Sequence, residues 1–245
     1  MGAQRHYPNA PITEALIDVQ VELPKRFTVA DLEKVHAEEK SAYPIKKNRY
    51  LLMGQMQFGE QVAAAASSKQ IGFLYKSQDG KQIFQAKLDG FTMSRLAPYE
   101  RWESLRDEAR RLWDVYRSVA KPTKVTRLAV RYINRLDLPL PVPDLKEYLR
   151  TVPEIAPDLP QDLAGYFFQL RIPMEDITST LLVNQTIIEP SRPNVVSVVL
   201  DNDIYRDADV PQNEDAVWDF FEVLRVRKND VFESSITDRT RELFK

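Results

Sequence analysis

From Glu14 to Leu23 the chain alternates with a strict period of two: Ala15, Ile17, Val19, Val21 and Leu23 on one side, Asp18, Gln20 and Glu22 on the other. Only a strand with one buried face has this pattern. Pro24 ends it, and Thr28 followed by Asp31 predicts the N-cap of a short helix with Leu32, Val35 and His36 inward. The pattern then recurs. Thr126 to Leu138 alternates in the same way and ends in Leu-Asp-Leu-Pro, as the first strand ended in Val-Glu-Leu-Pro. Val142-Pro143-Asp144-Leu145-Lys146 follows, echoing Val29-Ala30-Asp31-Leu32-Glu33, and predicts a helix of about two turns.

Between these two starts the sequence predicts strands at Tyr50–Phe58, Ile71–Lys76 and Gln82–Leu96. Gly90 sits where the apolar phase slips from Phe84, Ala86 and Leu88 to Phe91 and Met93, so a bulge is expected there. A helix over Glu100–Val119 carries the stripe Trp102, Leu105, Ala109, Leu112, Trp113, Tyr116 and Val119. The second half predicts strands at Tyr166–Met174, Thr180–Ile188 and Val195–Tyr205. A closing helix from Asn213 then presents Val217, Phe220, Phe221, Leu224, Val231 and Phe232. The expected fold is therefore α+β: a strand–helix–three-strand–helix unit built twice, over 1–122 and 123–245, as one compact pseudo-symmetric body. Its mainly antiparallel sheet carries the helices on one face and leaves the other open.

Composition narrows the function. There is no cysteine, which excludes a disulfide framework, a thiol nucleophile and a cysteine-ligated metal, and fits a reducing compartment. A net charge of -2 gives no global attraction to nucleic acid or anionic lipid. The first ten residues lack the apolar core of a signal peptide, and the apolar runs are too short to span a bilayer. A cytoplasmic, soluble protein without a cofactor is expected; the oligomeric state is left open.

No Gly-x-Gly-x-x-Gly, phosphate-loop lysine or Gly-x-Ser-x-Gly elbow is present. His6 lies in a polar leader and His36 on an apolar helix face, which reads as a tail histidine and a core-edge histidine. Arg127, Arg131 and Arg135 share one strand face at about 13 Å intervals and form the best local signal for a partner or a phosphate backbone. The alternative is cross-strand pairing with acids such as Asp18 or Glu22. Asp201 and Asp203, about 7 Å apart on one strand face, are weak candidates for a metal. Along Glu100–Val119 the arginines are expected to pair within the helix, as Glu103–Arg106, Asp107–Arg110 and Asp107–Arg111.

Three segments carry a resemblance. Pro8-Asn9-Ala10-Pro11-Ile12-Thr13-Glu14-Ala15 resembles the Pro-Ile-x-Glu-Ala opening of an uncharacterised, sporadically distributed bacterial family of similar length. Arg131-Tyr132-Ile133-Asn134 and Lys228-Asn229-Asp230-Val231-Phe232-Glu233 resemble its other recurring segments. The family supplies no activity and no functional residues. Its patchy distribution implies a mobile locus of the phage-defence or toxin–antitoxin kind. Three functional readings follow. The first is a non-enzymatic protein holding a partner encoded nearby on an open sheet face. The second is a nucleic-acid-binding component using Arg127, Arg131 and Arg135, and the third a metal-dependent enzyme at Asp201 and Asp203. The role of Glu14 is open among a cap, a salt bridge and a ligand contact.

Overall fold

The computed structural model describes residues 5, 7–57, 63–161 and 163–245, with backbone alone at 54–57 and 63–66. His6 lies outside the described residues. Nine strands form one antiparallel sheet: β1 (Ile12–Glu22), β2 (Ile45–Gln57), β3 (Ala63–Lys76), β4 (Gln82–Lys87), β5 (Gly90–Leu96), β6 (Lys124–Pro139), β7 (Phe167–Met174), β8 (Ser179–Ile188) and β9 (Val195–Arg206). Among the described residues there are four α-helices: α1 (Val29–Leu32), α2 (Trp102–Ala120), α3 (Glu214–Ser235) and α4 (Asp238–Glu242). The class is α+β. Among the described residues no helix is long and apolar enough to cross a membrane.

The strand order is β2-β3-β4-β5-β1-β6-β9-β8-β7. The two strictly alternating segments are thus the paired central strands β1 and β6, with Ile17 opposite Val130 and Asp18 opposite Ala129. Ala15, Ile17, Val19 and Val21 of β1, with Leu128, Val130, Leu136 and Leu138 of β6, all face the helices and are buried. α2 covers β5 and β1, and α3 covers β6 and β9. Each large apolar side chain buried between sheet and helices contributes about 1.5–3 kcal/mol relative to exposure. At α1 the predicted box forms: the Thr28 amide and hydroxyl both donate to the Asp31 carboxylate. His36 is buried, stacks on Tyr75 and hydrogen-bonds the Tyr43 carbonyl, so it is the core histidine expected.

Several elements differ from the sequence reading. The expected single strand Gln82–Leu96 is a hairpin, not a bulged strand. Lys87 pairs with Gly90 across a two-residue turn, which puts Phe84 opposite Met93 and Ala86 opposite Phe91 on one face. The apolar phase slips because the chain reverses. Gly90 has φ +154°, and a Cβ there would come within 2.3 Å of the Val19 carbonyl oxygen, so the turn and the close approach of β1 both require glycine. The first half consequently has four strands after β1, where the second has three after β6. β2 and β3 also begin earlier than expected, at Ile45 and Ala63, and end where expected to within a residue. The two-turn helix expected after Asp144 is a single 3-10 turn, Leu145–Glu147, capped by the Asp144 carboxylate accepting from the Lys146 amide.

Candidate functional site

The open sheet face resolves both charged candidates at once. β6 and β9 pair in register, so the arginines lie beside the aspartates: Arg131 opposite Asp203 and Ile133 opposite Asp201. Arg127 donates to Asp18 at 3.2 Å and to Asp203 at 2.7 Å, and its guanidinium lies over the Tyr205 ring. Asp18 also accepts from Thr92 at 2.6 Å and from Lys87 at 3.4 Å. Arg131 makes a two-pronged contact with Asp201, at 2.7 and 2.6 Å, and Asn184 donates to the same carboxylate. Arg135 donates to Asp137 and to the Glu189 carbonyl.

Burial pushes the Asp203 carboxyl above its ordinary range, against the pull of Arg127 and Arg131. Hydrogen bonds donated to Asp201 hold the Arg131 guanidinium firmly protonated, with Asp203 and Glu14 adding to the same field. Arg127 and Arg131 are therefore occupied by carboxylates of neighbouring strands and Arg135 by Asp137 of its own strand, and Asp201 and Asp203 receive arginine where a metal would need them free. Among the described residues no group of three His, Asp or Glu side chains is placed to hold a metal ion. The helix arginines differ from expectation in their partners. Arg106 and Arg225 bridge α2 and α3 through Glu222 and Glu103, Arg111 reaches Glu39, and Arg117 reaches Glu214. These ions pin the helices to other elements, whereas pairing within α2 is the lesser part.

A concavity of about 850 Å³ lies on the helix side, at the open end of the groove between α2 and α3. Its floor is Tyr132 and Asn134 of β6 and Asn202 of β9; its walls are Tyr99 and Trp102 at the start of α2 and Arg225, Lys228 and Phe232 of α3. Pro11 and Ile12 close one side. The leader is fixed there because Tyr7 donates to Glu233 at 2.7 Å and packs edge-on against Phe232 and Phe244. Residues of the Pro8–Ala15, Arg131–Asn134 and Lys228–Glu233 segments meet at this cavity, although the segments lie far apart in the chain. No protein-family model matches the chain, and no curated protein matches it.

The cavity holds polar groups that have no use in packing. Asn202 is 1 % exposed, and both its amide oxygen and its amide nitrogen lack a partner among the described residues. Such a group costs about 1–3 kcal/mol if left unpaired. Tyr99 and Tyr132 share a 2.8 Å hydroxyl–hydroxyl hydrogen bond. Burial pushes the Tyr99 phenol up to about 12 and the Tyr132 phenol well above its ordinary range. The Lys228 ammonium lies 3.7 Å from the centre of the Tyr132 ring and 5.9 Å from that of Tyr99. Among the described residues it has neither a hydrogen bond nor an ion pair. Burial, and then the charge of Arg225, push its amine down to about 7.

That shift has a stability consequence with a definite sign. Below the ordinary lysine value of 10.5 the unfolded chain holds this proton more tightly than the native one, so Lys228 destabilises the fold increasingly as pH falls toward 7. Lys228→Met is expected to stabilise the protein by about 1–2 kcal/mol near neutral pH, because the cavity admits water and moderates the burial penalty. The gain vanishes above the ordinary lysine value. Urea midpoints of both proteins at neutral and alkaline pH would show it, and a destabilised variant at neutral pH would contradict it.

None of the pocket residues was selected from sequence as a site. The signal was there in phase: Lys228 stands in the inward stripe between Leu224 and Val231, and Asn134 and Asn202 occupy inward positions of strands whose neighbours there are apolar.

Proposed function

We propose that this chain is a binding protein for a small organic ligand held in the cavity between α2 and α3. The observation that carries the reading is Asn202, a buried side chain on the cavity floor that presents a free donor and a free acceptor side by side. Buried amides are ordinarily satisfied, and an exception calls for a cause such as strain, a catalytic role, or a bound water or ion; one lining a cavity of this size suits a ligand's polar end. The size of the cavity and its aromatic walls suit a drug-sized molecule. The matching outward strand orders, β1-β5-β4-β3 and β6-β9-β8-β7, support an internal duplication over 1–122 and 123–245, with the cavity formed where the two helices of the repeat meet.

The test compares wild type with Asn202→Leu, both purified from the native host, denatured, and analysed by mass spectrometry for released small molecules. A metabolite held by wild type and reduced roughly tenfold or more in the variant is expected, since leaving a buried polar group without its hydrogen bonds costs about 1–3 kcal/mol. Identical contents from both proteins would refute the reading.

A second reading, a protein partner, is favoured by the edge strand β7, where Phe167 is 68 % exposed and Leu170 and Ile172 are also exposed. An apolar edge with unpaired backbone groups suits strand addition by a partner. The nucleic-acid reading is weakened because Arg127 and Arg131 are neutralised in place.

A further inference from the structure

We propose that the cavity takes an organic anion, a carboxylate or phosphate carried on a flat or apolar body, with the charged end on Lys228, Arg225 and Asn202. The proposal deepens the ligand-binding reading and depends on it. Three donors in one cavity lack partners among the described residues: the Lys228 ammonium, the Arg225 Nε and the Asn202 amide nitrogen. Opposite them the Asn202 oxygen is buried without a partner among the described residues, and the Asn134 oxygen and Asp230 carboxylate also line the cavity; the charge acting on Lys228 is nevertheless the positive Arg225, so an acceptor-rich anionic group completes the cluster.

The charges around Lys228 agree. From its own helix, Arg225 stands one turn back on the same face and adds positive charge. Asp230 lies two positions on, where helical geometry turns the side chains apart, and Glu233 is taken by Tyr7 and Arg241. From α2 and the segment before it, Glu103 is bridged to Arg225 and Glu100 to Arg95. From β6, Tyr132 offers only its ring face, and Tyr99 beside it is already bonded to Tyr132. Arg225 is the one charge that acts appreciably on Lys228, and it repels. A cation held against aromatic rings without a carboxylate is a site for an anion supplied from outside. Tyr99, Tyr132, Phe232, Pro11 and Ile12 then surround the ligand body.

Binding of an anion raises the affinity of Lys228 for its proton, so complex formation takes up a proton above neutral pH and weakens as pH rises further. The experiment is titration calorimetry of the full chain with benzoate, phenyl phosphate and the neutral isostere benzamide, at about pH 8, in buffers of different ionisation enthalpy. One or both anions are expected to bind with proton uptake, and which of them binds more tightly identifies carboxylate or phosphate as the preferred end. Lys228→Met is expected to lower anion affinity roughly 10- to 100-fold, the range for a hydrogen bond to a charged group, and to leave benzamide unchanged. Lys228→Arg, charged at all these pH values, is expected to keep most of the affinity and lose the proton uptake. Benzamide binding as tightly as benzoate, or Lys228→Met binding the anions like wild type, would overturn the anion proposal and leave the pocket reading standing. Failure of all three probes to bind would overturn both.

Discussion

Replacing Arg127 with alanine is expected to destabilise the fold by about 3–5 kcal/mol, the loss typical when one partner of a buried ion cluster is removed. The side chain is only 18 % exposed, and the carboxylates of Asp18 and Asp203 on either side of it are buried as deeply. Without the guanidinium, two carboxylates remain in a partly dry site with Lys87 and Thr92 as the nearest relief, and the Asp203 carboxyl, already pushed up by burial, loses its main counter-charge. Urea denaturation checks this directly, and a loss below about 1 kcal/mol would show that the pair behaves like an exposed one. Arg127→Ala combined with Asp18→Asn and Asp203→Asn is expected to recover much of the loss, because the uncompensated charges go with their partner. The consequence for function is practical. An Arg127→Ala protein that fails to bind nucleic acid has first lost stability, so such a result says nothing about a phosphate-binding surface unless the triple variant is tested beside it.

What the sequence made legible was periodic. Strict alternation in Glu14–Leu23 and Thr126–Leu138 identified the two strands that became the centre of the sheet, because a strand between a polar face and a helix layer must alternate. The stripe of α2 was equally plain. What stayed hidden depended on which strand lies beside which. The residues Arg127, Arg131, Asp201 and Asp203 were all visible as charges on strand faces, yet their mutual neutralisation is a property of the β6–β9 register, and a one-residue slip would have turned those charges away from each other. At Leu88–Asp89 a phase slip beside a glycine fits either a bulge or a hairpin, and only the pairing of β4 with β5 decides it. The cavity was hidden for a further reason. Its floor, its two walls and its closing segment come from opposite ends of the chain, and its telltale residues are polar ones in apolar positions, where Lys228 looked like a break in a stripe. The resemblance pointed to the same residues without giving them a use.

Phe91→Ala is expected to destabilise the whole molecule by about 3–5 kcal/mol and to do so in a single transition that both halves share. Phe91 is fully buried at the start of β5 and packs against Phe84, Trp113 and Tyr116. Its strand pairs with β1, β1 pairs with β6, and α3 rests on β6, so no boundary interrupts the sheet between the cavity left by the ring and the second half. The tryptophans separate the readouts: Trp102 and Trp113 lie on α2, Trp218 on α3. In a Trp218→Phe background the fluorescence reports the first half, and in a Trp102→Phe, Trp113→Phe background the second. Each background is compared with and without Phe91→Ala; because Trp113 touches Phe91, the size of the loss in the second background includes their coupling. If the halves are one cooperative unit, the urea midpoint read by Trp218 falls together with that read by α2. If only the α2 signal moves, the β1–β6 seam is a joint between two domains, and the cavity that spans α2 and α3 would then open and close with that joint.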